Sequence, residues 1–268
     1  MNRENTQPAI KIANLTKSFG DKTVLRGIDI EVAPGQILGY IGPNGAGKTT
    51  TVKILIGMLH DFGGQASVCG HDVAVDPLAV KRQIGYVPEA AALYDSLTPM
   101  EYLRFVGRLY GLEVEEIDQR AREMFQLFDL SSEIDNRIST FSKGMRQKVL
   151  IVAGMIHDPD VLFLDEPLSG LDANSAVTVK EIIAQLARKG KTIFYCSHIM
   201  DVVERICDRI IILADGRIVA DGSFEELQGR SQEASLERIF TQLTSEGGHA
   251  ELADRFIQAF ARSGNGHD

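Results

Sequence analysis

A chain of 268 residues can bury a substantial core, and shares of 44% hydrophobic and 24% charged residues are ordinary for a water-facing globular protein. A net charge of −9 and a pI near 5.2 lower the expectation of a nucleic-acid or anionic-lipid surface, which would carry a basic stripe. The three cysteines, Cys69, Cys196 and Cys207, are scattered and odd in number, so free thiols are expected rather than disulfides or a zinc site.

The start of the chain, residues 1–8, is polar and does not read as a signal peptide. Apolar runs such as 149–156 and 210–214 fall far short of the ~18 residues of a spanning helix, so no bilayer crossing is expected. In chain order, residues 9–15 and 24–32 alternate in polarity and predict antiparallel strands. An apolar run over 36–41 predicts a buried strand, followed by a helix over 48–58, and another buried strand is expected over 84–87. From about 90 to 157 the pattern is helical throughout. Thr98-Pro99-Met100-Glu101 is a capping box with proline at the first helical position, and Leu103, Val106, Leu109 and Tyr110 follow at helical spacing. A second stretch, 117–128, sets Ala121, Met124, Phe125 and Phe128 on one face. Buried strands are expected over 161–164 and 192–196, and Asp215-Gly216 between 209–213 and 217–220 predicts a hairpin. Beyond a Gly-Gly break at 247, Leu252, Phe256 and Phe260 form an amphipathic stripe over 250–262, suited to the chain's own core or to a partner. The expected organisation is one domain over 9–245 with a helical insertion at about 90–157, and a C-terminal helical appendage over 246–268. The fold class is α/β, with a mostly parallel sheet, an N-terminal antiparallel β subdomain and an inserted helical subdomain.

The segment Ile41-Gly42-Pro43-Asn44-Gly45-Ala46-Gly47-Lys48-Thr49-Thr50 contains G-x-x-x-x-G-K-T between an apolar strand and a helix. Glycines there let backbone N–H groups turn inward around phosphate oxygens, and the helix N-terminus adds its positive end. Lys48 is expected to reach the β- and γ-phosphates and the Thr49 hydroxyl to ligate Mg²⁺, which predicts a P-loop NTPase core. Val161-Leu162-Phe163-Leu164-Asp165-Glu166-Pro167 is an apolar strand ending in two acids. Asp165 is expected to hold Mg²⁺, and Glu166 to polarise the attacking water. No N-K-x-D base-reading segment follows, which argues against a GTPase. ATP and Mg²⁺ are therefore the expected cofactors.

Five more segments complete a resemblance to the ABC ATPase family, over roughly residues 9–245. Phe141-Ser142-Lys143-Gly144-Met145-Arg146-Gln147-Lys148 resembles the family signature, Ser169-Gly170-Leu171-Asp172 its D-loop, and Ser197-His198 its switch histidine. Ile84-Gly85-Tyr86-Val87-Pro88-Glu89 sits where the Q-loop lies, and Phe19 where an aromatic stacks on adenine. The resemblance implies a dimer in which ATP lies between Lys48 of one protomer and Ser142 and Gly144 of the other. It also implies that His198 contacts the γ-phosphate, that Asp172 organises the seam, and that Glu89 acts as a further acid and Mg²⁺ ligand. Ser142 is in addition a natural cap for a helix beginning near Lys143. Lys143 and Met145 depart from the usual signature and Glu89 replaces the usual glutamine. These departures resemble the branch of ATPases that serve separately encoded export permeases, as does the helix expected over 235–244. The implied partners are an integral membrane permease and a second ATPase copy or related chain, on the cytoplasmic membrane face, with no nucleic acid. A non-transport ABC-type ATPase, or a nucleotide-gated module with little turnover, stays open as an alternative.

Overall fold

The computed structural model describes residues 7–90 and 93–244. The appendage expected over 246–268 lies outside the described residues. The chain opens with β1 (Ile10–Phe19), β2 (Lys22–Val32), β3 (Ile37–Ile41), α1 (Lys48–Leu55), β4 (Gly63–Val68), β5 (His71–Asp72), α2 (Pro77–Gln83) and β6 (Ile84–Val87). Three helices follow with no strand between them: α3 (Pro99–Leu109), α4 (Val114–Leu127) and α5 (Lys143–Met155). The remainder is β7 (Val161–Asp165), α6 (Ala173–Arg188), β8 (Thr192–Cys196), α7 (Met200–Ile206), β9 (Arg209–Ala214), β10 (Arg217–Gly222), α8 (Phe224–Ser231) and α9 (Leu236–Thr244).

Local chemistry explains where the helices start. At α3 the capping box forms in full, with Glu101 N donating to Thr98 Oγ1 at 3.2 Å and Thr98 N to Glu101 Oε2 at 2.8 Å. Asp76 caps α2 ahead of Pro77, and Ser223 with Glu226 repeats the box at α8. Two expectations need correction. The helix after the glycine-rich loop stops at Leu55 instead of 58, because Gly57 takes a left-handed φ of 67°. Leu109, assigned to the apolar face of α3, is 72% exposed, and Gly107 instead packs beneath Ile117.

Two sheets carry the molecule. An antiparallel sheet runs β2-β1-β4-β5, and a six-stranded sheet runs β10-β9-β3-β8-β7-β6. Every pairing in the larger sheet is parallel except β9 with β10. Its central strands are buried on both faces, and side-chain parity sorts them. Ile37, Ile41, Leu162, Leu164, Ile193, Tyr195, Ile210 and Ile212 join the cluster that holds the helical block and α6. Leu38, Tyr40, Val161, Phe163, Phe194, Cys196, Ile211 and Leu213 join the cluster beneath the antiparallel sheet and α1. The ends of β3, β7 and β8 are thereby held at one sheet edge, where ligands bind in open α/β sheets. Among the described residues no helix is long and apolar enough to cross a membrane.

Candidate functional site

Gly42, Asn44, Gly45, Gly47, Lys48, Thr49, Thr50, Glu89, Asp165, Glu166 and His198 line one open cleft of about 870 Å³. The loop from β3 into α1 supplies most of it. Gly47 sits at the N-cap of α1 with φ 112°, a backbone conformation that strains any residue with a Cβ, and a Cβ there would also press on Leu25 Cδ2 at 2.6 Å. Thr51 fixes the first turn from behind, its hydroxyl donating to Gly47 O at 3.0 Å and lying 3.1 Å from Tyr40 Oη. Lys48 Nζ donates to Gly42 O at 2.6 Å and Pro43 O at 3.1 Å, which holds the ammonium against the loop it is meant to serve.

Facing the loop are the acids at the end of β7. Burial, and then the neighbouring charges of Glu89 and Glu166, push the Asp165 carboxyl up to about 6, with Lys48 and Lys53 opposing. Glu166 follows with a left-handed φ of 49°, a conformation that costs a non-glycine residue energy and concentrates at functional sites. Its carboxylate is held from three directions. Ser197 Oγ donates to Oε2 at 2.9 Å, and His198 N donates to Oε1 at 2.8 Å. His198 Nδ1 also lies 2.8 Å from Oε1. A carboxylate only accepts, so the imidazole proton belongs on Nδ1 and the exposed ring presents Nε2 outward.

The signature segment is built elsewhere. Ser142 caps α5, accepting from Met145 N at 3.3 Å. Met145 packs partly buried against the main core, so its thioether replaces a polar contact with an apolar one. Gly144 is obligatory, since a Cβ would stand 2.6 Å from Gly170 O. Lys143 Nζ donates to Ser169 Oγ at 2.9 Å, and buried Gln147 donates to Pro167 O at 3.2 Å. The signature helix is thus fastened to the loop that follows Glu166. Asp172 caps α6 through Ser175 N at 2.9 Å. The Ser175 hydrogen bonds hold its carboxyl at about 2, and Lys148 lies 3.6 Å away.

The fold therefore collects the phosphate loop, Glu89, Asp165, Glu166 and His198, but leaves Ser142, Gly144, Asp172 and Phe19 outside the cleft lining. Phe19 ends β1 opposite Lys22 with its ring 47% exposed and Lys17 Nζ 5.1 Å from its centroid. Residues that the sequence did not assign to the site also line the cleft: Lys22, Val24, Met200, and Glu237, Phe240 and Thr241 of the helix expected over 235–244. Ser197 was legible only as the neighbour of His198. The helix expected over 235–244 is present as α9, but nothing local places it at the cleft, because that depends on tertiary packing.

A family profile described as ABC transporter matches residues 25–169. The ABC transporter ATP-binding protein NatA of Bacillus subtilis is 37% identical over 86% of this chain and 96% of its own length. The daunorubicin/doxorubicin resistance ATP-binding protein DrrA of Streptomyces peucetius is 38% identical over 84% of this chain and 68% of its own. A solved structure of an ATP-binding subunit of an ABC transporter superposes with a TM-score of 0.84 at 33% identity, covering 88% of this chain and all of that one.

Proposed function

The chain belongs to the ABC transporter family of ATP-binding subunits, and from that premise we propose that it hydrolyses Mg·ATP as a dimer to drive a separate membrane permease, in an exporter. The observation that carries this is the single cleft in which Lys48 and the glycine loop face Asp165, Glu166 and His198. The word resistance in the name of DrrA, and export in that of the similar Nod factor export ATP-binding protein I of Burkholderia lata, support the exporter assignment.

The donor set suits a hard divalent cation. Asp165, Glu89 and Thr49 offer oxygens to one cleft, and the raised Asp165 carboxyl reports negative charge crowded there, which such a cation relieves. Bound there, Mg²⁺ would neutralise charge on the β- and γ-phosphates. Lys48 and the loop N–H groups orient the phosphates. Glu166, its oxygens aimed by Ser197 and His198, polarises the attacking water, and the outward Nε2 of His198 meets the γ-phosphate through a water that donates to both. Ser142 and Gly144, which lie outside this cleft, complete the site of the second copy. There the free N–H groups at the start of α5 face the phosphates.

The permease docks on the helical block just after the Glu89 loop. Tyr94 and Phe105 are exposed, and Tyr94 lies edge-on to Phe105 at 6.0 Å and tilted against Tyr102 at 6.3 Å, an aromatic patch of the kind that anchors interfaces. The domain division over 9–245 with its helical insertion is kept as part of this reading. Buried side chains of α3, α4 and α5 share one cluster with the parallel sheet, which supports a lever rooted in the ATPase core rather than an independent unit.

The test is a pair of variants. Lys48→Ala should lose tight ATP binding, and Glu166→Gln should bind ATP, turn over slowly and accumulate as a closed dimer. Tagged Glu166→Gln captured with ATP from detergent-solubilised membranes should bring a multi-spanning protein with it. Wild-type turnover in Glu166→Gln would remove the catalytic assignment, and capture of ribosomal or DNA-bound proteins would replace the transporter reading.

A further inference from the structure

The cleft has one wall that none of its motifs supplies. Glu237, Phe240 and Thr241 of α9 line it beside Lys48, Asp165, Glu166 and His198. The three occupy i, i+3 and i+4, a single face of the helix. The other face anchors α9. Leu236 and Ile239 are buried, and Leu236 N donates to Glu204 Oε2 of α7 at 3.1 Å. α7 itself begins at Met200, two residues past His198, and Met200 lines the same cleft. α9 is therefore seated on the helix that carries the histidine loop. On the cleft side Glu237 and Thr241 are exposed and Phe240 is half-buried. That side offers an apolar ring and a carboxylate to whatever the cleft holds. Glu237 is also a fourth acid beside Glu89, Asp165 and Glu166, set against Lys22 and Lys48.

We propose that α9 is a nucleotide-sensing wall: Phe240 contacts the bound nucleotide, and the Glu237 carboxylate selectively weakens the more highly charged triphosphate. Filling of the cleft and seating of α9 on α7 are then coupled, and the coupling is reciprocal. The proposal rests on the cleft being the ATP site and assigns to that site a helix other than the phosphate-loop, acid-pair and histidine segments.

The experiment is calorimetric titration of the full chain with Mg·ATP and Mg·ADP, alongside hydrogen exchange of the α9 amides. Glu237→Gln should tighten ATP about three- to fivefold and ADP by less, and the difference should shrink as salt rises from about 0.05 to 0.5 M. Phe240→Ala should weaken both nucleotides about fivefold. Arg238→Ala, on the same helix but outside the cleft lining, should change neither. ATP should slow α9 exchange in wild type but not in Lys48→Ala. Failure of wild type to bind ATP would bring down the reading of the cleft itself. Wild-type binding with Glu237→Gln and Phe240→Ala both unchanged, and no ATP effect on α9 exchange, would overturn this proposal alone. Position 237 is exposed, so misfolding does not explain a negative result there.

Discussion

Replacing Ser197 by alanine tests whether the grip on Glu166 matters to turnover. Ser197 is 2% exposed, and its hydroxyl gives Glu166 Oε2 its only hydrogen bond among the described residues, while Oε1 keeps the two contacts from His198. A hydrogen bond to a charged group contributes about 1.5–3 kcal/mol, and the cost falls on an acid that is itself only 8% exposed. If half of that aligns Glu166 with the attacking water, kcat should fall about fourfold to twelvefold. Ser197 is not among the residues that line the cleft, so KM for ATP should hold. The full loss lowers the melting temperature by roughly 3–12 °C for a domain of this size. Steady-state phosphate release over a range of ATP concentrations, with a thermal melt of the same sample, reads both effects. Ser197→Thr keeps the donor and should recover most of kcat. An unchanged kcat in Ser197→Ala, or an equal loss in Ser197→Thr, would refute the positioning role.

Gly144→Ala should push the start of α5 off the Gly170 carbonyl, because a contact of 2.6 Å must open to at least an ordinary one. Overpacking of that kind costs about 1–3 kcal/mol, so a lower melting point with ATP affinity of the monomer retained and turnover lost is expected. Retained turnover would detach the signature from hydrolysis. For Asp165, the carboxyl is held at about 6 when folded against 3.8 as its reference value. In Mg-free protein the folded state therefore binds more protons than the unfolded state between those values, and this group's contribution to stability falls as pH rises through about 4 to 6. Asp165→Asn should match wild type near pH 4 and exceed it at pH 7.5, measured by denaturant unfolding. A pH-independent difference would contradict the burial argument. Tyr94→Ala with Phe105→Ala should leave the ATPase of the isolated subunit intact while reducing co-purification with the permease, and undiminished co-purification would move the docking face elsewhere.

The glycine loop, the acid pair and the capping box were readable because each is a local requirement: φ, a dipole end or a donor must be satisfied within a few residues. The same holds for Asp172 and Ser142, whose capping is visible in sequence, although their distance from the phosphate loop is not. Leu109 was misassigned because periodicity counts apolar residues without knowing which face a neighbouring helix covers. The left-handed Glu166 and the donors on its two oxygens depend on β7 and β8 pairing in register, Asp165 against Cys196, which no local pattern states. The α9 wall is further from view, since its placement rests on Leu236 and Ile239 finding the helical core.

The fastening of α5 to the loop after Glu166 has a consequence for counting. Gln147 to Pro167, Lys143 to Ser169 and the Gly144–Gly170 approach join the start of α5, proposed above to serve a neighbour's nucleotide, to the loop that follows the chain's own acid pair. On the dimeric reading proposed above, each subunit would act as a seesaw plank with one fuel site under either end. Cleavage at one end would then be felt at the other, and the two ATP molecules of a dimer would be consumed as a correlated couple.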